Sequence, residues 1–321
     1  MLRLFARRLL PVLVLAAASL SYGQEHPPAA REAEAKSPLV LPQSVQFDMP
    51  SKFSGRTYRV FVRRPALPPP AAGYPVVMVT DGNGLFPLAA TVGAIHELRG
   101  DQAALVVGVG YPVEDSAWLR LRSRDLTPTS PAADAFAPPG QPPLRPEDTG
   151  GAENFYRFLT EELRPALAAS YSVNPRDQAL YGHSLGGLFT LGVLFRHPES
   201  FRTYLISSPS IWWNHEVVLK DEAAFLRRLE AREIAPRVLI LVGGEEESPP
   251  AHLPAGMNAA DALKLVRQSQ MVGNARALGE RLAKIHGAPG FEVRSHIFEE
   301  EDHLSVLPAS IGRSFTFAAK P

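Results

Sequence analysis

Residues 180–188 read LYGHSLGGL, and the centre of that run sets Ser184 between Gly182 and Gly186. A serine in a G-x-S-x-G pattern can attack an acyl carbon when a strand turns sharply through it into a helix. The glycines at ±2 are then needed because side chains there would collide. A plain tight turn between strand and helix shows the same spacing, so the flanks must decide. DQALY (177–181) has strand character, and LGGLFTLGVLFRHP (185–198) continues as an apolar helix that must stop before Pro198. Both flanks therefore favour a nucleophile.

Serine needs a base to take its proton and an acid to orient that base, supplied by loops at the carboxyl ends of later strands in the order Ser, acid, His. The last strand-like run leads into FEEEDHLSVLP and puts His303 in that place. The run RVLILVGG (237–244) ends directly in Glu245, Glu246 and Glu247. Only one of the three can face inward; the spacing after Gly243 favours Glu246, with Glu245 and Glu247 as alternatives. Asp302 is adjacent to His303 and poorly placed to orient it. An oxyanion hole needs two N–H donors. One would be Leu185, after the serine, and the other Gly82 or Asn83 in the DGNG turn (81–84), although an ordinary turn has the same composition.

Stepping outward, strand-length runs lie at 56–65, 74–82, 103–112, 178–184, 202–209, 237–246 and 291–303, and helical candidates at 86–99, 151–170, 185–197, 215–230 and 258–286. The alternation predicts an α/β fold with a mostly parallel sheet and helices on both faces. The segments 126–151 and 248–274 are too long or too proline-rich for ordinary connections and read as insertions at the rim of the site. A single domain is expected over residues 43–317.

The 321 residues are 45% hydrophobic and 21% charged, with 33 basic and 33 acidic side chains, and carry no polybasic block. Nothing in this balance suggests a nucleic-acid partner. Residues 1–23 combine Arg3, Arg7 and Arg8 with an apolar stretch over 9–20 and the small residues Ser21 and Gly23, as a secretory signal does. Residues 24–42 read as a flexible leader. A periplasmic or secreted protein is expected, without stable membrane insertion once the signal is removed; an anchoring helix is the alternative. There is no cysteine, which excludes a thiol nucleophile and a zinc–thiolate site. His96, His197, His215, His252, His286 and His296 have no metal-ligand spacing, so neither metal nor cofactor is expected. His183 reads as turn support.

The set DGNGLF, RDLTP, GGAENFYRFLTEEL, GHSLGGLF, SSPSIWW, LVGGEEE and EDHLSVLP resembles the esterase D-like α/β-hydrolases over residues 45–312, in particular the esterases of ferric catecholate siderophores. The resemblance implies an α/β-hydrolase fold, Ser184 as nucleophile, His303 as base, and Leu185 with the DGN turn as oxyanion donors. It also implies Arg122 and Arg124, with Trp212 and Trp213, as the substrate-binding set. An anionic, flat-faced ferric catecholate suits guanidinium and indole groups. The implied partner is a small-molecule ester, with a siderophore trilactone as the candidate. A feruloyl-type or general carboxylesterase, an acyltransferase, and a non-catalytic binding protein on the same scaffold are the rival readings.

Overall fold

Central strands buried on both faces read as continuous apolar runs, and the runs from Tyr74, Leu105 and Arg237 form the middle of an eight-stranded sheet. The computed structural model describes residues 40–114, 116–133, 135, 144–249, 253 and 258–320. The expected signal, nearly all of the leader, His252 and parts of both insertions lie outside the described residues. In chain order the elements are β1 (Ser44–Pro50), β2 (Thr57–Arg63), β3 (Tyr74–Val79), α1 (Gly82–Leu98), β4 (Leu105–Gly110) and α2 (Trp118–Leu126). Next come α3 (Ala152–Arg157), a π-helical stretch (Phe158–Leu163), α4 (Arg164–Ser170), β5 (Val173–His183), α5 (Leu185–Arg196) and β6 (Thr203–Ser207). They are followed by the short turn α6 (Trp213–Glu216), α7 (Glu222–Glu230), β7 (Arg237–Gly243), α8 (Ala259–Ser269), α9 (Met271–Ala283), β8 (Glu292–Phe298) and α10 (Val306–Ala318).

The strand order is β1-β2-β4-β3-β5-β6-β7-β8, parallel from β4 onward, with β1 and β2 antiparallel at one edge. This is the α/β-hydrolase architecture. Alternate strand residues feed two cores. Met78, Leu180, Tyr204, Ile206 and Ile240 face α5, α7 and α9, whereas Val79, Tyr181, Leu205 and Leu241 face α1 and α10. Helix α5 has apolar residues all round because almost every one of its side chains is buried.

Several local features differ from the pattern reading, among them α10, which lies outside every expected helical segment. Strand β1 is an additional edge strand with mostly exposed side chains, so it lacks an apolar signal. Helix α2 is carried by the charged run WLRLRSRDL within a stretch read as connection. The expected helix 258–286 is two helices, broken at Gln270 in the left-handed region (φ 43°).

Helix α2 is seated by a buried acid. Asp125, its side chain 1% exposed, accepts from the Tyr111 hydroxyl at 3.0 Å and lies 3.7 Å from Arg56. Burial, outweighing the pull of Arg56, pushes its pKa from an ordinary 3.8 up to about 6. A raised carboxyl pKa means the folded state holds the proton more tightly than the unfolded chain. The stability this gives is full below the unfolded value and is lost as pH rises through about 6. Asp125→Asn should therefore stabilise the protein at pH 8 by about 1–3 kcal/mol and change little at pH 4. Melting curves at the two pH values check this, and an equal shift at both would contradict it.

Candidate active site

A parallel strand that runs into a helix through one residue forces that residue into a rare conformation. Ser184 stands between the end of β5 and the start of α5 at φ 61°, ψ −119°. Such strain persists only where the surroundings impose it. Here the Ser184 N–H donates to Ser207 O at 3.0 Å and its carbonyl accepts from Leu188 and Ser210. An added Cβ at Gly182 would overlap the Gly186 carbonyl, and one at Gly186 would overlap the Thr80 hydroxyl, which is why glycine stands at both positions. Among the described residues the Ser184 hydroxyl has one hydrogen-bonding neighbour, Ser210 Oγ at 3.5 Å, too far for a strong hydrogen bond.

The three glutamates at the end of β7 separate. They form a single tight turn, Gly244–Glu247, so consecutive side chains point in different directions. Glu245 is exposed, and Glu247 accepts from the Gly273 N–H at 2.7 Å in the first turn of α9. Glu246 turns inward, its side chain 1% exposed, and accepts from His303 Nδ1 at 2.6 Å. Its other oxygen takes the Ser208 hydroxyl at 2.5 Å and the Gly243 N–H at 2.8 Å. A carboxylate that accepts from Nδ1 fixes the tautomer of the imidazole it holds and leaves Nε2 as the nitrogen that can accept a proton.

The His303 loop is held by Asp302, whose Oδ1 accepts the N–H groups of Leu304 and Ser305, each at 2.8 Å. Those main-chain donors, first of all that of Ser305, lower the Asp302 pKa. Asp302 thus shapes the loop. His183 lies beneath, its ring centroid 4.6 Å from that of His303, with Nδ1 3.0 Å from Ser207 Oγ. Burial, then the neighbouring His303 and Arg122, push its pKa well below the ordinary histidine value, so it is a neutral packing partner.

Gly82 and Asn83 open α1, and Leu185 opens α5, so their N–H groups have no intrahelical acceptor and carry the positive ends of two helix dipoles. The helices start side by side because β3 and β5 are neighbours in register, Val79 opposite Tyr181. The Asn83 amide locks its turn to the end of β4, accepting from Tyr111 N at 2.7 Å and donating to Tyr111 O at 2.8 Å.

The four expected substrate-binding residues divide. Arg122 forks onto Asp81, Nε to Oδ1 at 2.5 Å and Nη2 to Oδ2 at 2.8 Å. The Arg124 side chain packs beside Gly151, half-buried, and makes no ion pair or side-chain hydrogen bond among the described residues. Trp213 is 4% exposed in the core and donates from Nε1 to Thr129 O at 3.1 Å. Trp212 is half-buried, its ring 6.0 Å from that of Trp213. Ser208, Asp302 and Asp81 were not singled out by sequence reasoning as working parts. Their only signal was a polar residue directly after a buried strand or beside a candidate.

The "Esterase" family model matches residues 51–289. This chain belongs to that family. The ferri-bacillibactin esterase of Bacillus subtilis is 35% identical over 277 residues, 85% of this chain and 88% of that one. The siderophore triacetylfusarinine C esterase of Aspergillus fumigatus is 33% identical over 292 residues, covering 87% of this chain and 94% of its own length. The crystal structure of the BES protein from Bacillus cereus superposes with a TM-score of 0.74 at 33% identity, over 89% of this chain and all of that one.

For this esterase the geometry separates three otherwise equal carboxylates. Glu246→Gln should lower kcat by about 10³–10⁴, since an amide in place of the carboxylate reverses the tautomer preference of His303. Glu245→Gln and Glu247→Gln should stay within about threefold, because neither side chain reaches the imidazole. Initial rates on a p-nitrophenyl ester decide it; a large loss in either neighbour would reassign the acid.

Proposed function

We propose that this chain is an exported serine esterase that hydrolyses the ester backbone of a siderophore. The observation that carries the reading is the hydrogen bond from His303 to the buried Glu246, with the His303 ring 4.6 Å from that of His183, the residue before a serine strained at φ 61°. In the proposed cycle Ser184 Oγ attacks the ester carbonyl while His303 Nε2 takes its proton. Glu246 stabilises the imidazolium through Nδ1. The oxyanion lies on the N–H of Leu185 and that of Gly82 or Asn83, where two helix dipoles favour negative charge. Collapse of this intermediate expels the alcohol, which leaves with the proton from His303. Water, deprotonated by the same nitrogen, then frees the carboxylic acid and regenerates the serine.

The relatives named as siderophore esterases support the substrate class. Arg124, a half-buried guanidinium that forms no ion pair among the described residues, supports an anionic substrate, and Trp212 adds an aromatic ring. Cutting the backbone that joins the iron-binding arms turns a multidentate chelator into separate weaker ligands, so the product releases its metal more readily. Export is supported by the basic and apolar start of the chain.

Ser184→Ala should abolish turnover of a p-nitrophenyl ester. Wild-type kcat/KM on a ferric tris-catecholate trilactone should exceed that on the aryl ester by about tenfold or more. Turnover that survives the substitution would end the serine reading, and equal efficiency on both esters would end the siderophore assignment.

A further inference from the structure

The geometry points to Arg122 as a positioning residue of the oxyanion hole: its guanidinium, forked onto Asp81, fastens the Gly82–Asn83 turn to the strand end that delivers Ser184. The inference rests on the serine-esterase reading and assigns Arg122 a role different from substrate contact.

Three observations carry it. First, the guanidinium is already engaged. Two of its nitrogens bind Asp81, Nη2 also reaches His183 O at 3.3 Å, and the Arg122 and Asp81 side chains are only 12% and 5% exposed. A guanidinium forked on a buried carboxylate offers little net charge to an anionic substrate. Arg124 lies two residues along the same helix, turned by roughly 200°. The two arginines cannot share a task.

Second, Asp81 is the residue that sets the donors. It is held in the left-handed region at φ 57°, immediately before Gly82, and its carbonyl accepts the N–H groups of Gly84 and Leu85 at 3.0 and 2.9 Å. The direction of the Gly82 and Asn83 N–H groups therefore follows from how Asp81 is held. A Cβ placed on Gly186 would lie 3.1 Å from Asp81 Oδ2, so the carboxylate also packs against the first turn of α5. One ion pair thus touches the start of α1, the start of α5 and the end of β5.

Third, the pair solves an electrostatic problem. A bare carboxylate beside two helix N-termini would compete with the developing oxyanion for the same positive ends and raise its energy. Arg122 cancels that charge where it arises. The two contributions, aim and neutralisation, both act on the transition state rather than on the bound substrate.

The test compares a neutral p-nitrophenyl ester with a ferric tris-catecholate trilactone. Arg122→Met should lower kcat by about 10²-fold on both substrates, with KM changed less than about threefold on either. The double variant Asp81→Asn/Arg122→Met, which removes the stranded carboxylate, should regain about tenfold of that loss. Arg122→Lys, a charge without the fork, should fall between Arg122→Met and wild type. Active-site titration with a fluorophosphonate corrects every rate for the folded fraction, and the double variant leaves no buried unpaired charge if the single one folds poorly. A KM increase confined to the ferric substrate with kcat intact would make Arg122 a substrate contact and overturn the inference. Unchanged kcat on both substrates, or no recovery in the double variant, would overturn it as well. Ser184→Ala separately tests the reading beneath it.

Discussion

A carboxylate with its side chain 1% exposed must be matched by donors or its burial is prohibitive, and Glu246 draws its donors from three different strand ends. Gly243 belongs to the end of β7, Ser208 follows β6, and His303 lies beyond β8. Each donor would otherwise be free to move with its own loop. Stranding the carboxylate by removing a partner would cost about 3–5 kcal/mol, comparable with much of a domain's net stability. The same requirement explains the packing at this corner. The chain of the β8 loop passes so close to Gly243 and Gly244 that a Cβ on Gly244 would lie 2.7 Å from Glu299 O. The imidazole is thus held by the folding of the sheet edge rather than by a flexible loop.

Strain is distributed along the same edge. The neighbouring strands β3, β5 and β6 are each followed by a non-glycine residue at positive φ: Asp81 at 57°, Ser184 at 61° and Ser208 at 42°. Each conformation costs about 1–3 kcal/mol, and they fall at Asp81 before the Gly82–Asn83 turn, at Ser184 between β5 and α5, and at Ser208, the second side-chain donor to Glu246. A doubly covered parallel sheet can hold such strain because its strands are buried and fully paired up to the last residue. The Ser208 N–H, for instance, donates to Leu241 O at 2.7 Å directly after its own strand ends.

How much of this could be read beforehand depended on whether the signal was periodic. The G-x-S-x-G turn, the strand that enters it and the order Ser184, Glu, His303 are one-dimensional facts, and the structure has the strand β5, the turn at Ser184, the helix α5 and the Glu246–His303 hydrogen bond. Choosing Glu246 over its neighbours needed the direction of three side chains in one tight turn, which no spacing states unambiguously. Arg122 and Arg124 looked equivalent because the helix bearing them, WLRLRSRDL, is short and too rich in charge to announce itself as a helix. Once the helix is known, a two-residue offset puts them on different faces. Ser208 and Asp81 were illegible for a simpler reason: a polar residue after a buried strand is the commonest way to end one, whether or not it works.

The rim follows a different logic from the edge. After Trp213 the chain makes a left-handed turn in which Asn214, His215 and Glu216 have φ of 46°, 57° and 56°. Three successive non-glycine residues in that region cost about 1–2 kcal/mol each, so the surroundings must impose the shape. The Asn214 amide supplies the tie: it donates to Thr129 Oγ1 and Ser130 O and accepts from Ala132 N, at 2.8, 3.1 and 2.8 Å. Trp213 adds its bond to Thr129 O from the core side. The proline-rich insertion is therefore anchored to the tryptophan turn at its first residues, next to Trp212. The strained turn and the start of the insertion are thus one clamped unit, set by the Asn214 amide and Trp213 rather than by the Glu246 carboxylate. Among the described residues the hydrogen bonds of this unit and those of Glu246 have no residue in common, so the segments around 129–132 and 212–216 can vary without removing a donor of Glu246.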